Sequence, residues 1–345
     1  MDDVPAGRGK PTLEEFHAAM AKADVGALWE VQAAEAAHPP RKDKPLLWRW
    51  SDLQSLIDMT AKVVDTEQAE RRVLMLQNPA TGHGNMSGPA TPNLTANLQI
   101  LLPGETARPH RHTIHALRFV MEGSGATTFV DGKACPMEPG DMVLTPAWTW
   151  HEHKHEGTER MVWFDGLDAP LRRHMKAADF EPGPAHDVPD TAADGAFEAI
   201  GLVPQGGPAP KDYSPVFRYA WTAARAALDH TPVAHDGSRT LRYVNPQTGG
   251  PAMSLFECYL VALPKGAATR PQRSSANAVC IVAQGSGTST IGEQTLTWEK
   301  NDIFTLPRNH WGSHTASSKD AVLFVMTDRD LMARLGLLTD EIKDA

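Results

Sequence analysis

Three histidines in the first half of the chain have the spacing that could hold a metal ion. His110 and His112 lie two apart in a segment that reads as a β-strand, where alternate residues point to the same face. His151 follows later, after the turn signal "EPGD" and an apolar run. Imidazoles suit Fe(II), Zn, Ni and Cu alike, so the ligand type predicts a metal centre without choosing its metal. The alternative for His110 and His112 alone is an exposed pair on a strand, and His151 argues against it.

The segments that carry these histidines read as strands and turns. From about Arg72 the chain consists of short apolar or alternating runs separated by Gly, Pro and Asp, which is typical of β-barrels and β-sandwiches. Helical periodicity precedes them, over residues 12–36 and 50–64. A Pro- and Ala-rich stretch with one helical segment follows them. We therefore expect a mostly β protein with N-terminal helices and a partly helical connecting arm.

The strand pattern occurs twice. "RVLMLQNPATG" at 72–82 matches "RTLRYVNPQTG" at 239–249, and "GDMVLTPAWTWHEH" at 140–153 matches "NDIFTLPRNHWGSH" at 301–314. Such self-similarity predicts two copies of one β unit. The expected organisation is an N-terminal helical segment at 1–70, a first barrel at 71–168, a connecting arm at 169–238, and a second barrel with a C-terminal tail at 239–345.

The second copy lacks all three candidate ligands. The aligned pairs are His110 with Gln272, His112 with Ser274, and His151 with Gly312. Pro, Gly, Asp and Trp positions survive around them, so the repeat keeps its scaffold without the metal ligands. We expect one metal centre per chain, in the first barrel.

The spacing of Gly104, His110, His112, Pro146, Trp148 and His151 resembles the two metal motifs of the cupin superfamily. Cupins usually add a glutamate a few residues after the first histidine pair. Residues 114–117 read "IHAL" and offer no carboxylate, so a three-histidine site is expected.

A narrower resemblance rests on "HRHTIHALRFVMEG" and "TPAWTWHEH". These runs resemble the bicupin ring-cleaving dioxygenases that act on gentisate, salicylate and 1-hydroxy-2-naphthoate, and the resemblance extends over residues 45–335. It implies one Fe(II) per chain, held by the three histidines, with O2 as co-substrate. It also implies ring cleavage between the carboxyl- and hydroxyl-bearing carbons of a salicylate-type acid, and a homo-oligomer, in this family a tetramer.

The same resemblance implies the residues that contact the substrate. Arg118 and His153 would be catalytic, and the substrate-binding set would be Arg118, Arg72, Gln99, His153 and Asp165. Arg118 has the strand parity of His110 and His112, and its guanidinium fork matches a carboxylate. His153 could bind the phenolic oxygen. Structural roles compete for Arg72 and His153, because the second copy has Arg239 and His314 at the matching positions.

Departures from the family pattern concern the substrate. Gentisate-cleaving members commonly have Gln and Ser where this chain has Ile114 and His115, and an aromatic residue where it has Thr95. Replacing a ring by threonine enlarges or re-polarises a pocket. The ring substituent therefore stays open among gentisate, salicylate, 5-nitrosalicylate and a naphthoate.

Composition limits the other classes of function. The net charge of −9 argues against a general nucleic-acid or membrane binder. The N-terminus has no apolar signal core, and the three cysteines are isolated, so we expect a cytoplasmic protein. Two alternatives stay open: a cupin isomerase or hydrolase that uses another divalent metal, and a non-enzymatic bicupin that binds a small acid.

Overall fold

The computed structural model describes residues 12–37, 44–64, 69, 71–81, 88–199, 202–206 and 209–343. The chain divides into two compact units, residues 1–42 and 43–345. The first unit contains helices α1 (Leu13–Lys22) and α2 (Leu28–Ala37). Thr12 and Glu15 form a capping box that begins α1. The single helix expected over residues 12–36 is wrong, because Asp24 takes a left-handed conformation that ends α1.

The second unit contains two β-sandwiches. The N-terminal sandwich comprises β2 (Arg72–Met75), β3 (Thr95–Leu101), β4 (Thr106–His112), β5 (Ala116–Glu122), β6 (Ala126–Val130), β7 (Lys133–Met137), β8 (Met142–Thr145), β9 (His151–His155), β10 (Met161–Leu167), β11 (Phe180–Pro182) and β12 (Arg218–Tyr219). The C-terminal sandwich comprises β1 (Leu47–Trp48), β13 (Arg239–Arg242), β14 (Glu257–Ala262), β15 (Gln272–Ser274), β16 (Ala278–Gln284), β17 (Ser286–Ile291), β18 (Gln294–Glu299), β19 (Ile303–Leu306), β20 (Gly312–Ala316), β21 (Val322–Thr327) and β22 (Asp340–Ile342).

The described residues of this unit also form helices α3 (Trp50–Val63), α4 (Ala169–His174), α5 (Trp221–His230) and α6 (Arg329–Arg334). Two 3₁₀ turns lie at Pro79–Thr81 and Asp194–Phe197. No helix in the described ranges is both long and apolar enough to span a bilayer.

Each sandwich consists of a six-stranded and a five-stranded sheet with corresponding strand orders. The N-terminal sheets run β12-β8-β5-β10-β3-β2 and β11-β4-β9-β6-β7, and the C-terminal sheets run β1-β19-β16-β21-β14-β13 and β18-β17-β20-β15-β22. Side chains from the two N-terminal sheets meet in the interior, where the rings of His153 and Trp163 lie 5.2 Å apart. The prediction of a mostly β, cupin-like fold is confirmed, with open sheets rather than closed barrels.

The sandwiches exchange short edge strands. β1 precedes the N-terminal sandwich in sequence but pairs with β19 of the C-terminal one, while β12 pairs with β8 of the N-terminal one. The following helices are anchored alike, since the backbone N–H of Trp50 donates to Asp302 and that of Trp221 donates to Asp141. Each sandwich therefore gains an edge strand from a segment that, in the sequence, directly precedes the other sandwich.

An apolar interface holds the six-stranded sheets against each other. The rings of Phe119 and Phe324 stack with centroids 4.3 Å apart. At Gly166 a β-carbon would collide with the end of the Met326 side chain of the C-terminal sandwich, which shows how closely the two sheets approach there. The other face of the N-terminal six-stranded sheet, away from this interface, lines the interior of the N-terminal sandwich.

Candidate metal centre and substrate pocket

The three predicted histidines converge at the pairing of β4 and β9. His110 lies opposite His151, next to an irregularity in β4 that shifts the strand register. The nitrogens that the three side chains offer lie within 4.8 Å of one another. The ring centroid of His151 lies 4.1 Å from that of His110 and 4.8 Å from that of His112.

Each ring is oriented by a hydrogen bond from its Nδ1 to a backbone carbonyl. The distances are 3.0 Å from His110 to Arg108, 2.7 Å from His112 to Ile114, and 3.0 Å from His151 to Thr149. A carbonyl can only accept, so Nδ1 carries the proton and Nε2 keeps its lone pair. Burial lowers the pKa of His110 to about 3 and that of His112 to about 4. These rings are therefore neutral at pH 7.

These features fit a divalent metal ion. Nε2 of His151 is buried without a hydrogen-bond partner among the described residues, which is costly unless a ligand uses it. Nε2 of His110 accepts from Nη1 of Arg71 at 2.7 Å, which shows that its lone pair faces the same space. Three neutral imidazoles on one side leave the other coordination positions of a metal open to ligands.

Arg71 was missed by the sequence analysis, which chose its neighbour Arg72. Nε of Arg72 donates to the carbonyl of Val64 at 2.6 Å, and Nη1 reaches both oxygens of Glu105 at 2.7 and 2.6 Å. Arg72 pairs with Ile100, the neighbour of Gln99, so its side chain leaves the opposite face of the sheet. The structure brings Arg71 to the histidines and Arg72 to a buried ion pair.

Three further predicted residues line the interior from the six-stranded sheet. Asp165 lies directly opposite Arg118, with its Oδ1 3.4 Å from Nε of the arginine. Nη1 of Arg118 donates to Thr145 at 2.8 Å, and the indole of Trp163 donates to Asp165 at 3.1 Å. Gln99 projects from the same face, because it pairs with Trp163.

Unpartnered polar atoms are concentrated in this interior. Nε2 of Gln99 and Nε2 of His153 are buried without hydrogen bonds to any described residue, and Nε of Arg118 has only its 3.4 Å ion pair with Asp165. Leaving such groups unsatisfied costs about 1–3 kcal/mol each. The charge of Arg118 contributes to lowering the pKa of His110, His112, His151 and His153, as expected if it faces the same space. A polar ligand in this interior would satisfy the amide of Gln99 and the imidazole of His153.

His153 is fixed by a threonine behind it. Its Nδ1 lies 2.8 Å from Oγ1 of Thr128, which itself contacts Sδ of Met137 at 3.0 Å. Burial lowers the pKa of His153 well below its ordinary value. The ring is therefore neutral and held rigidly, with Nε2 left for a ligand.

His115 points away from the metal ligands and links the two sandwiches. Its Nδ1 accepts from the backbone N–H of Ala147 at 2.9 Å, so the proton lies on Nε2, 3.1 Å from Oγ of Ser254. Ser254 in turn donates to Asp212 at 3.0 Å. His115 thus braces the turn that precedes His151 against the C-terminal sandwich.

Two tryptophans near the site hold a cation outside the pocket. The guanidinium of Arg111 lies 4.7 Å from the ring centroids of both Trp148 and Trp150 and pairs with Glu181 at 2.7 Å. Trp148 has a left-handed backbone with φ of 63°, and its N–H donates to the carbonyl of His112 at 2.7 Å. These contacts stabilise the strained turn that delivers His151.

Fold and site together define a cupin protein with a three-histidine metal centre. A cupin-domain family model matches residues 97–167. A gentisate 1,2-dioxygenase of Aquipseudomonas alcaligenes is 34% identical over 94% of this chain and 94% of its own length. A 5-aminosalicylate 1,2-dioxygenase of Comamonas is 33% identical over 95% of this chain and 90% of its own.

A solved structure agrees with these relatives. Salicylate 1,2-dioxygenase from Pseudoaminobacter salicylatoxidans, in an adduct with gentisate, superposes with a TM-score of 0.87 at 30% identity and covers 99% of this chain and 96% of its own. The chain belongs to the family of gentisate, salicylate and hydroxynaphthoate 1,2-dioxygenases, and the resemblance inferred from its motifs is confirmed.

Proposed function

We propose that this protein is an Fe(II)-dependent dioxygenase that opens the ring of a salicylate-type acid between its carboxyl- and hydroxyl-bearing carbons. The observation that carries the proposal is the joint presence of a three-histidine cluster and buried, unpartnered polar groups beside it. The family's named activities are of this type.

His110, His112 and His151 would hold one iron per chain through Nε2. When bound, iron supplies the redox chemistry that joins O2 to the aromatic ring. Neutral ligands leave the full charge of the ion in place, so the site favours a substrate that brings negative charge. The backbone carbonyls on Nδ1 keep the rings oriented and raise their basicity as ligands.

Arg118 would bind the substrate carboxylate. Its guanidinium has five N–H groups. The described contacts direct Nε at Asp165 and one hydrogen of Nη1 at Thr145, which leaves donors for a carboxylate. Asp165 opposes only part of its charge and holds its orientation. Arg71, now bonded to His110, is a second cation that could turn to an anionic ligand. Two arginines and a metal ion suit an acid that chelates through carboxylate and phenolate.

His153 would contact the phenolic oxygen. Its ring is neutral, so Nε2 can accept the phenol's proton in one tautomer or donate to the phenolate in the other. Gln99 offers an amide donor from the facing sheet. Both groups position the ring while the sandwich excludes water.

The ring substituent is the least constrained part of the proposal. Thr95 is buried at the β3 end near the pocket and leaves more room than an aromatic side chain would. Gentisate and 5-substituted salicylates, including 5-amino- and 5-nitrosalicylate, are therefore the first candidates. We also propose a homotetramer in the cytoplasm, where the buried thiols of Cys135, Cys258 and Cys280 would stay reduced.

An oxygen-electrode screen tests this function. Iron-loaded protein is mixed with gentisate, salicylate, 5-aminosalicylate, 5-nitrosalicylate and 1-hydroxy-2-naphthoate, and O2 uptake is compared with loss of ring absorbance. We expect one O2 consumed per ring opened for at least one acid. Absence of ring opening with all five would contradict the proposal, and turnover without O2 uptake would favour a cupin isomerase or hydrolase.

A further inference from the structure

The interior of the C-terminal sandwich contains a cavity of about 600 Å³. Protein interiors are close-packed, and a volume of this size is typical of small-molecule sites. Alternate residues of its strands line the cavity, including Val261 on β14, Cys280 on β16 and Val325 on β21. The cavity therefore occupies the inward face of the sheet, as the substrate pocket does in the N-terminal sandwich.

Four wall positions that carry polar side chains in the N-terminal sandwich carry apolar ones here: Val261, Cys280, Leu306 and Val325. Cys280 and Val325 pair across β16 and β21 as Arg118 and Asp165 pair across β5 and β10. Burial raises the pKa of the Cys280 thiol, so this position carries no charge. The other replacements follow from the repeat: Val261 for Gln99, Leu306 for Thr145, Gln272 for His110, Ser274 for His112 and Gly312 for His151.

One polar pair survives in the cavity wall. Nδ1 of His314 lies 2.7 Å from Oγ of Ser289, which accepts from the indole of Trp298 at 2.8 Å. Ser289 is fully buried, and of the described residues only His314 is placed to accept its hydroxyl proton. Burial lowers the pKa of His314 to about 4, so the neutral ring carries its proton on Nε2.

Nε2 of His314 is a donor that borders the cavity. The ring lines the cavity and is surrounded by protein, yet part of its surface stays accessible. Within the described residues, Nε2 has no hydrogen-bond partner. A ligand that fills the cavity would satisfy it with an acceptor oxygen.

Both arginines that line the cavity are already paired with carboxylates. Nη1 and Nη2 of Arg329 bond to the two oxygens of Asp340 at 2.5 and 2.7 Å, and Nη2 of Arg273 bonds to both oxygens of Glu341 at 2.6 Å. Asp236 adds a further carboxylate to the lining. Neither arginine is left for an anion, so the cavity disfavours the aromatic acids that suit the N-terminal pocket.

We propose that this cavity binds an uncharged, largely apolar molecule with an acceptor oxygen towards His314. This cavity lies in the C-terminal sandwich, so ligand binding there does not depend on the proposed function of the N-terminal one. The C-terminal sandwich would thus bind an uncharged ligand, whereas the N-terminal sandwich would bind an anionic one.

Calorimetric titration of the metal-loaded full chain with acetophenone tests the site. This probe has one ring, one acceptor oxygen and no charge. We expect saturable binding of one molecule per chain. Ethylbenzene, which lacks the acceptor, should bind roughly 5- to 10-fold more weakly, because one hydrogen bond contributes about 1 kcal/mol. Saturating benzoate should not displace acetophenone.

Variants locate the binding. Val261→Phe and Val325→Phe each fill the cavity from a different strand and should weaken acetophenone binding at least roughly 10-fold. His314→Leu should reduce acetophenone affinity to that of ethylbenzene. Unchanged ring cleavage and melting temperature serve as the folding control, and if one filling variant does not fold, the other carries the test.

Three results would overturn the proposal. They are absence of saturable acetophenone binding up to about 5 mM, displacement of acetophenone by benzoate, and binding that survives both filling substitutions.

Discussion

The two sandwiches differ most where their side chains face the interior. The N-terminal interior carries three histidines, an arginine–aspartate pair and unpartnered amide and imidazole atoms. The C-terminal interior has apolar side chains at four of the same positions, Val261, Cys280, Leu306 and Val325, and keeps a cavity. One scaffold therefore supports a polar site that suits a metal and an apolar site that does not.

The shared scaffold lies at turns and sheet edges. Asp141 and Asp302 accept equivalent pairs of backbone hydrogen bonds. In each case one donor lies in the preceding turn, and the other is the first residue of the helix that follows the exchanged edge strand. Arg111 pairs with Glu181 at the edge of one sandwich as Arg273 pairs with Glu341 in the other. Because these contacts do not involve the interior, the interior can change its chemistry without loss of the fold.

Arg118→Met should give the largest change in catalysis. It makes the N-terminal interior resemble the C-terminal one at the position of Cys280 and leaves Asp165 buried without its cation. We expect kcat/KM for the best acid to fall on the order of 10³-fold, as for loss of a buried charged partner. Steady-state O2 uptake measures it, with Cys280→Met as the matched control. A decrease in kcat/KM smaller than about 5-fold would show that Arg118 does not bind the carboxylate.

His153→Leu should lower kcat/KM on the order of 10²-fold, because it removes a group expected to move or hold a proton. His314→Leu makes the same change in the other sandwich and should leave ring cleavage unaltered. Equal losses in both variants would show that the shared histidine supports the fold rather than the chemistry. Comparison of kcat with KM and of melting temperatures separates the two cases.

Arg71→Met and Arg72→Met should affect different properties. Loss of Arg71 should raise KM roughly 10-fold, since it removes a cation beside the histidines. Loss of Arg72 breaks a buried pair with Glu105 and should destabilise the fold by about 3 kcal/mol, with KM little changed. Kinetics and urea unfolding measure the two effects. If Arg72→Met instead raised KM and Arg71→Met instead lowered stability, Arg72 would be the substrate contact.

His115→Asn should have the smallest effect. In the C-terminal sandwich Asn277 stands at this position, and its side chain accepts from the backbone N–H of Arg308 as His115 accepts from Ala147. Asparagine can keep that bond but not the one to Ser254. We expect activity within about 5-fold of the native enzyme and a loss of stability near 1 kcal/mol.

The same variant changes the pH dependence of stability. The folded pKa of His115 is lowered to about 4, below its ordinary value near 6.5. The unfolded chain therefore binds more protons between these values, and stability falls as pH drops from 6.5 towards 4. His115→Asn should flatten this part of the urea-unfolding profile, and an unchanged slope would contradict the assignment.

Strand parity and the repeat predicted much of the site. They placed His110 and His112 on one face, and the second copy separated these positions from the scaffold. The parity argument did not hold for Arg118, because β4 ends at His112 and Arg118 reaches the same interior from β5 in the facing sheet. The choice between Arg71 and Arg72 depends on the pairing of Arg72 with Ile100, which a single sequence does not reveal. The contact between His115 and Ser254 joins positions far apart in the chain, and the exchange of β1 and β12 depends on packing between the sandwiches.

The histidine cluster predicts one metal centre per chain, in the N-terminal sandwich. Metal analysis by mass spectrometry after loading with Fe(II) under anaerobic conditions tests it most directly. We predict one iron per native chain, almost none in His112→Ala, and one in Ser274→Ala, the matching change in the other sandwich. Two irons per native chain, or full iron retention in His112→Ala, would contradict the account.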